Sequence, residues 1–200
     1  MYSQYRPSRL GMLADGMFVQ PIHGKGVRVI WLKGETDMLG ALEEVESFGE
    51  FAKRNNAVAS TDVKSFEHLI CTEQLSRRLG FKVGEELIAW YVSEVSTAVR
   101  AKWTMATFLA SIAKGLTPEI AAESIYDYLE HKRGIKVMAS RRTVSVELAN
   151  DEDCSYLDLG KYNCVAVMES QSYTSDGILF EVTHARTHPE IFHYRVNSKR

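Results

Sequence analysis

Several features are scarce or missing in this 200-residue chain, and each absence excludes a class of protein. The three cysteines (Cys71, Cys154 and Cys164) are an odd number without CxxC spacing, which argues against a disulfide framework or a zinc site and for a reducing compartment. No apolar run approaches the roughly 18–20 residues that a membrane span needs, and the N-terminus has no apolar segment typical of a secretory signal. These absences predict a soluble cytoplasmic protein. The 45% of apolar residues predict that it buries a substantial core.

Recognisable catalytic signatures are also missing. The sequence has no GxSxG, no P-loop, no GxGxxG and no HExxH. His184 and His188 are four residues apart, but the pattern around them is a strand and then a loop, so the metal-ligand spacing of a helix does not apply. We therefore expect no catalytic residue, no metal site and no cofactor. One run of carboxylates is interpreted as the solvated start of a helix rather than as an acid–base pair: Glu147, Asp151, Glu152 and Asp153.

The charge is unevenly distributed along the chain. The net charge is −2, but residues 1–31 carry +3, which leaves −5 for the remainder. The basic residues of this first segment are Arg6, Arg9, Lys25 and Arg28. A small basic segment ahead of an acidic body indicates a region that contacts an anionic partner.

A short helix end and a hairpin are predicted in the same basic segment. Residues Arg9–Gly16 are typical of the end of a helix that glycine terminates. Two β-like runs follow, Met17–Ile22 and Val27–Leu32, and the glycines of the HGKG sequence between them suit a tight turn. The hairpin is either an ordinary exposed turn or a wing whose Lys25 and Arg28 contact phosphates beside a DNA groove.

The rest of the chain predicts an α+β domain with an antiparallel sheet, because several long strands are joined mainly by hairpins. Residues 33–40 are polar and are interpreted as a linker. The predicted helices are a segment from Leu42 to Asn56, a short helix capped by Thr72, and a helix from Ser124 to Gly134. The predicted long strands are Leu87–Val95, Ala98–Leu109, Ile135–Leu148, Asn163–Thr174 and Ile178–Arg186.

In order and spacing, these segments resemble the GntR superfamily of bacterial transcription regulators, HutC subfamily. The N-terminal part resembles the end of a recognition helix and the wing, in Arg9-Leu10, Met12-Leu13-Ala14 and Ile22-His23-Gly24-Lys25-Gly26-Val27. The remainder resembles the UTRA effector-binding domain, in Ser47-Phe48, Ser124-Ile125-Tyr126, Asp151-Glu152-Asp153 and Leu179-Phe180-Glu181 with Arg186. The Ser-Ile-Tyr and Asp-Glu-Asp segments are most similar to trehalose-operon repressors.

The resemblance implies an allosteric regulator, in most family members a repressor that its ligand releases. It implies a partial winged helix-turn-helix over residues 1–32, the linker, and a UTRA domain over 41–200 with a chorismate-lyase-like sheet around a small-molecule pocket. The implied partners are a small-molecule effector, a second copy in a homodimer, and operator DNA in a full-length form. Only about ten residues precede the recognition-like helix, so we expect this chain to bind operator-like DNA weakly or not at all.

The resemblance also implies a set of pocket residues. Family members that bind phosphorylated sugars hold the phosphate with two arginines, and those places fall on Val92 and Glu94 here. The acidic residue that family members usually have in the next strand falls on Thr104 here, and a tyrosine often found late in the domain falls on Thr187. Replacing a guanidinium pair by valine and glutamate removes charge-assisted hydrogen bonds and adds repulsion. The effector-binding residues that the resemblance implies, with the substituted Glu94 counted among them, are Phe48, Gly49, Glu94, Ser124, Tyr126 and Glu181.

This set of residues predicts a neutral effector, or one with an amine that Glu94 or Glu181 could pair with, rather than a sugar phosphate. Two other functions stay open. One is a lyase-like enzyme that uses the same pocket, and the other is a dimerisation module that binds no ligand. Turnover would identify the enzyme, and stabilisation by a ligand would separate a sensor from a dimerisation module.

Overall fold

The computed structural model describes residues 9–15, 18–30, 40–41, 45–54, 56, 59–96 and 99–196. The chain divides into two units, Met1–Asp37 with Arg195–Arg200, and Met38–Tyr194. Arg6 lies outside the described residues, as does the linker predicted over residues 33–40, apart from Gly40. No helix among the residues described is long and apolar enough to cross a membrane.

In the described residues of the first unit, a helix is followed by a β-hairpin, as the sequence predicts. Helix α1 spans Arg9–Asp15, and strands β1 (Val19–Ile22) and β2 (Gly26–Val29) pair antiparallel. The turn closes with a hydrogen bond from the Lys25 N–H to the Ile22 carbonyl at 3.0 Å. Gly24 and Gly26 have φ values of +70° and +89°, a region that L side chains rarely adopt, so the turn depends on both glycines.

The second unit is built on a six-stranded antiparallel sheet. The six strands are β4 (Ala59–Ile70), β5 (Glu86–Ser96), β6 (Val99–Leu109), β7 (Val137–Leu148), β8 (Cys164–Thr174) and β9 (Leu179–Thr187). Their order in the sheet is β4-β5-β6-β9-β8-β7, and every neighbouring pair is antiparallel, which confirms the predicted fold class.

Short helices cover the sheet. Two further short strands are β3 (Gly40–Ala41) and β10 (Tyr194–Arg195), of which β10 includes the last residue of this unit, Tyr194. The remaining elements are α2 (Phe48–Arg54), α3 (Glu73–Leu79), α4 (Pro118–Ala122), α5 (Ile125–Asp127), a π-helical turn (Tyr128–Lys132), α6 (Asp151–Tyr156) and a 3-10 turn (Pro189–Ile191).

The two faces of the sheet bury different cores. On one face, the rings of Trp90 and Phe108 stack with centroids 4.3 Å apart, and this cluster includes Ala121 of α4 and Leu129 of the π-helical turn. On the other face, Leu79 of α3 belongs to one cluster. Leu157, directly after α6, belongs to another with Trp103 and Val167. Helices on both faces therefore sandwich the sheet.

Two helix predictions need correction. The helix predicted from Leu42 begins at Phe48, because Ser47 caps it: the Glu50 N–H donates to Ser47 Oγ at 3.3 Å. The single helix predicted after Ser124 is instead the three-residue α5 followed by the π-helical turn. The helix widens into the π-helical turn at Tyr128, whose hydroxyl donates a hydrogen bond to the Lys114 carbonyl at 2.9 Å. The helical periodicity of the sequence does not reveal this tertiary contact.

Candidate functional site

A cavity of about 190 Å³ opens on the face of the sheet that α4 and α5 cover. Its floor follows the alternation of strands, because every second residue of a strand points to the same face. The floor residues are Trp90, Val92 and Glu94 of β5, Lys102, Thr104 and Ala106 of β6, and Glu181, Thr183, Ala185 and Thr187 of β9.

An ion pair lies within this floor. Glu94 and Lys102 are directly opposite in the β5–β6 register, and Glu94 Oε2 is 2.8 Å from Lys102 Nζ. The Thr104 hydroxyl donates to the same oxygen at 3.2 Å. Lys102 Nζ also lies 4.8 Å from the centroid of the Phe48 ring, within cation–π range. Glu94 is therefore buried with a partner for its charge, rather than free to attract a ligand alone.

A second buried carboxylate, Glu181, lines the same cavity. The Tyr126 hydroxyl donates to Glu181 Oε2 at 2.6 Å, and the Ser172 hydroxyl is 3.4 Å from the same tyrosine oxygen. Burial raises the pKa of Glu181, although the hydrogen bond from Tyr126 partly opposes that effect. Burial and the adjacent Glu181 also hold the pKa of Tyr126 well above its usual value. Tyr126 and Glu181 thus form a hydrogen-bonded polar pair in the cavity wall.

The start of α2 contributes Phe48 and Gly49 to the rim of the cavity. The Ser47 N–H donates to Glu50 Oε2 at 2.7 Å, while the Glu50 N–H donates back to Ser47, so the two residues form a capping box. A protein carboxylate therefore already accepts one N–H at the electropositive start of α2.

Carboxylates outnumber cations among the cavity residues. The four carboxylates are Glu46, Glu94, Glu123 and Glu181, and the two cations are Lys102 and Arg142. Glu46 pairs with Arg54 at 2.6 Å and Glu94 pairs with Lys102, so two of the acids are neutralised within the protein. The lining of the cavity therefore carries more negative than positive side chains.

All six effector-binding residues implied by the resemblance line this one cavity: Phe48, Gly49, Glu94, Ser124, Tyr126 and Glu181. Ser124 has a structural task as well, because its Oγ accepts the Asp127 N–H at 3.3 Å. Sequence reasoning missed Lys102 and Arg142. The signal for Lys102 was its spacing of two from Thr104, which places both side chains on one face of β6.

The opposite face of the sheet carries a closed ion-pair network. Arg186 is bidentate to Asp153, with Nε–Oδ1 at 2.7 Å and Nη2–Oδ2 at 2.8 Å, and its Nη1 contacts Glu147. The Trp103 indole N–H donates to the same Asp153 Oδ1 at 2.9 Å. The Asn150 N–H donates to Oδ2 at 2.9 Å, within a capping box at the start of α6.

This network overturns one sequence interpretation. Asp153 is fully buried, not part of a solvated helix start. Burial alone would raise its pKa, but hydrogen bonds from Arg186, Asn150 and Trp103 outweigh that effect and lower the pKa. The hydrogen bond to Asp153, with a further one to Glu147, raises the pKa of Arg186, although burial partly opposes that effect. The acidic run was misread because the partner that buries Asp153 lies 33 residues further along the chain.

The residues expected to contact DNA lie in the first unit. Arg9 is exposed on α1, and Lys25 and Arg28 are exposed on the hairpin of β1 and β2. Within the described part of the chain, no group of three or more histidine, cysteine, aspartate or glutamate side chains could hold a metal ion.

The UTRA domain model matches residues 54–193, which include all six strands of the central sheet. The chain belongs to the UTRA-domain family. The HTH-type transcriptional regulator TreR of Bacillus subtilis strain 168 is 26% identical in an alignment of 198 residues, which covers 96% of this chain and 82% of TreR. This chain is a GntR/HutC-like regulator with an effector-binding C-terminal domain, as the resemblance implied.

Solved structures share the fold of this UTRA regulator. The crystal structure of the possible transcriptional regulator YydK from B. subtilis superposes with a TM-score of 0.76 at 18% identity, over 95% of this chain and 80% of YydK. The effector-binding domain of the B. subtilis trehalose repressor superposes with a TM-score of 0.63 at 23% identity, over 70% of this chain and 98% of that domain. The sheet is thus the chorismate-lyase-like sheet of UTRA domains.

Proposed function

We propose that the cavity on the α4–α5 face binds the effector of this regulator, and that the effector is neutral or carries an amine. The proposal rests on one observation: the cavity contains more carboxylates than cations, and its Lys102 is already paired with Glu94 at 2.8 Å. The residues that would contact the ligand are Phe48, Gly49, Glu94, Ser124, Tyr126 and Glu181.

Two of these residues have the clearest chemical roles in the proposal. Glu181 would accept a hydrogen bond from a ligand hydroxyl or amine next to the bond it already accepts from Tyr126. Gain of a cationic partner would also favour the charged form of Glu181, whose burial otherwise disfavours it. The Phe48 ring, at the rim, would stack on an apolar face of the ligand.

The test is ligand-induced thermal stabilisation of the wild-type protein by trehalose and by glucosamine, one neutral and one amine-bearing. A variant with the cavity filled, Ala185→Phe, serves as the control, because Ala185 faces the cavity from the centre of the sheet. We expect stabilisation in the wild type that the variant lacks. Equal stabilisation of both proteins would place the ligand elsewhere and contradict the proposal.

We further propose that effector binding controls the DNA contacts of a homodimeric, cytoplasmic repressor. The exposed Lys25 and Arg28 on a glycine-turned hairpin suit contacts to phosphates. The test compares the wild type with Lys25→Ala and with Arg28→Ala in binding to duplex DNA at low salt, where the weak binding that we expect of this chain is strongest. Each substitution should weaken binding. Each should also lower, by about one, the number of counterions released on binding, which is measured from the dependence of the binding constant on salt concentration.

The protein is proposed not to be an enzyme. Glu181 and Glu94 are each bonded within the protein, to Tyr126 and to Lys102, and are not arranged as an acid–base pair around a substrate position. Turnover of a small carboxylate by the wild-type protein would contradict this statement, and the loss of that turnover in Glu181→Gln would assign it to the cavity.

A further inference from the structure

Among the strands that the structure describes, β7 is an edge strand whose one sheet neighbour is β8. The pairing runs without a register shift from Ala139 to Leu148. An edge strand presents a row of backbone N–H and C=O groups that another strand can pair with, and monomeric proteins usually protect such edges.

The two edges of the sheet differ in this protection. The other edge strand, β4, has its register shift in the middle of the strand, between Val63 and Ser65, whereas the shift in β7 lies at its start, between Val137 and Ala139. Helices α2 and α4 also pack against β4.

On β7, by contrast, three aliphatic side chains are exposed on one face: Val144 (45% exposed), Val146 (72%) and Leu148 (76%). A long edge with exposed aliphatic residues is suited to strand pairing with a partner.

We propose that β7 pairs antiparallel with β7 of a second copy of this chain, with Val144 opposite Val144. This inference rests on the proposed homodimer and names its interface. The two copies would be related by a two-fold axis perpendicular to the sheet, so the cavity faces of both copies lie on the same side of the joined sheet. Even-numbered residues of β7 must then lie opposite even-numbered residues, and odd-numbered opposite odd-numbered.

Charge selects the register. When Val144 faces its own counterpart, Arg141 of each copy lies opposite Glu147 of the other. Within β7, this is the alignment that places an arginine directly opposite a glutamate, whereas centring on Arg142 would oppose like charges. Glu147 already contacts Arg186 of its own chain, but a carboxylate has two oxygens and can accept from both guanidinium groups. The pairing would join two six-stranded sheets into one.

The same strand reaches the cavity. Ser140 and Arg142 line the cavity from β7, on the face that also carries Val144. Since a ligand in the cavity would touch the strand that forms the interface, occupancy can change the geometry of the dimer directly.

Disulfide trapping tests the register. Val144→Cys and Val146→Cys are made in a chain whose two less buried native cysteines, Cys154 and Cys164, are replaced by serine. Opposed residues of paired strands have Cα atoms about 4.5–5.5 Å apart, within the limit of about 7 Å for a disulfide. The two Val146 positions would lie four residues out of register, about 13 Å apart along the strand.

We expect oxidation to convert most of the Val144→Cys protein to a covalent dimer and at least tenfold less of the Val146→Cys protein, although Val146 is the more exposed side chain. Equal trapping, or preferential trapping through Val146, would overturn the register. A Val144→Cys protein that stays monomeric on a denaturing gel, while light scattering reports a dimer, would place the interface elsewhere.

Charge reversal gives a second readout that does not depend on cysteine chemistry. Arg141→Glu would oppose two glutamates at each end of the pairing, so we expect dimer dissociation at protein concentrations at least tenfold higher than for the wild type. Arg133→Glu makes the same charge change at an exposed position outside β7 and should not alter dissociation. An unchanged Arg141→Glu dimer, or a monomeric wild type, would overturn the inference.

The ligand measurement keeps this failure separate from failure of the proposed effector site. Ligand-induced stabilisation of the reduced Val144→Cys protein by trehalose or glucosamine reports on the cavity alone. Stabilisation without trapping refutes the interface and leaves the effector site standing, whereas trapping without stabilisation does the reverse.

Discussion

The two faces of the central sheet both bury charged side chains, but they use them differently. On the α6 face, Arg186 and Asp153 satisfy each other with two hydrogen bonds, and Trp103 and Asn150 supply further donors. On the α4–α5 face, Glu181 accepts from Tyr126 beside an open cavity. A buried ion pair whose hydrogen bonds are all made within the protein stabilises the fold. A polar group beside a cavity can instead bind a ligand in place of water.

The largest expected effect follows from opening the closed network. Arg186→Met leaves the Asp153 carboxylate buried without its main partner, so we expect the free energy of unfolding to fall by about 3–5 kcal/mol. Urea denaturation measures it, and Arg133→Met is an exposed control that should change stability by less than about 0.5 kcal/mol. A loss below 1 kcal/mol from Arg186→Met would show that the network adds little.

A smaller difference should separate the two faces in their tolerance of added volume. Val167→Phe enlarges a side chain that is 1% exposed in the packed α6-face cluster, and overpacking there should cost about 1–3 kcal/mol. Ala185→Leu adds more side-chain volume than Val167→Phe does, but adds it toward the cavity. It should therefore lower the free energy of unfolding clearly less. Equal losses in urea denaturation would contradict the contrast between a packed face and an open one.

The smallest expected effect is a dependence on pH that distinguishes the two buried carboxylates. Because the pKa of Glu181 is raised in the folded protein, its protonated form stabilises the fold below the unfolded value near 4.5, and this contribution is lost as the pH rises through the folded pKa. Glu181→Gln should therefore match the wild type in acid and become the more stable protein as the pH increases.

Asp153 should behave in the opposite sense. Its pKa is lowered, so its contribution is present above the unfolded value near 3.8 and is lost as the pH falls through the folded pKa. The advantage of the wild type over Asp153→Asn should shrink in strong acid. Thermal unfolding across the acid range measures both variants, and the same trend in both would contradict the assignment of two different environments.

Much of this contrast could be predicted from the sequence, and the missing part has a common physical cause. Strand runs and the Thr72 helix cap are local signals, and the structure bears them out: Thr72 Oγ1 accepts the Leu75 N–H at 3.3 Å. The Arg186–Asp153 pair joins residues 33 positions apart, and the Glu94–Lys102 pair depends on strand register. Contacts of this kind appear only once the topology is known, so the acidic run was misread and Lys102 was missed.

Isothermal titration of the wild-type protein with glucosamine 6-phosphate and trehalose 6-phosphate tests the central claim most directly. The cavity offers a phosphate two cations, of which Lys102 is already paired with Glu94, against four carboxylates, and Glu50 already accepts the Ser47 N–H at the start of α2. We expect no micromolar binding of either compound. Micromolar binding of either one, abolished by Ala185→Phe, would contradict it.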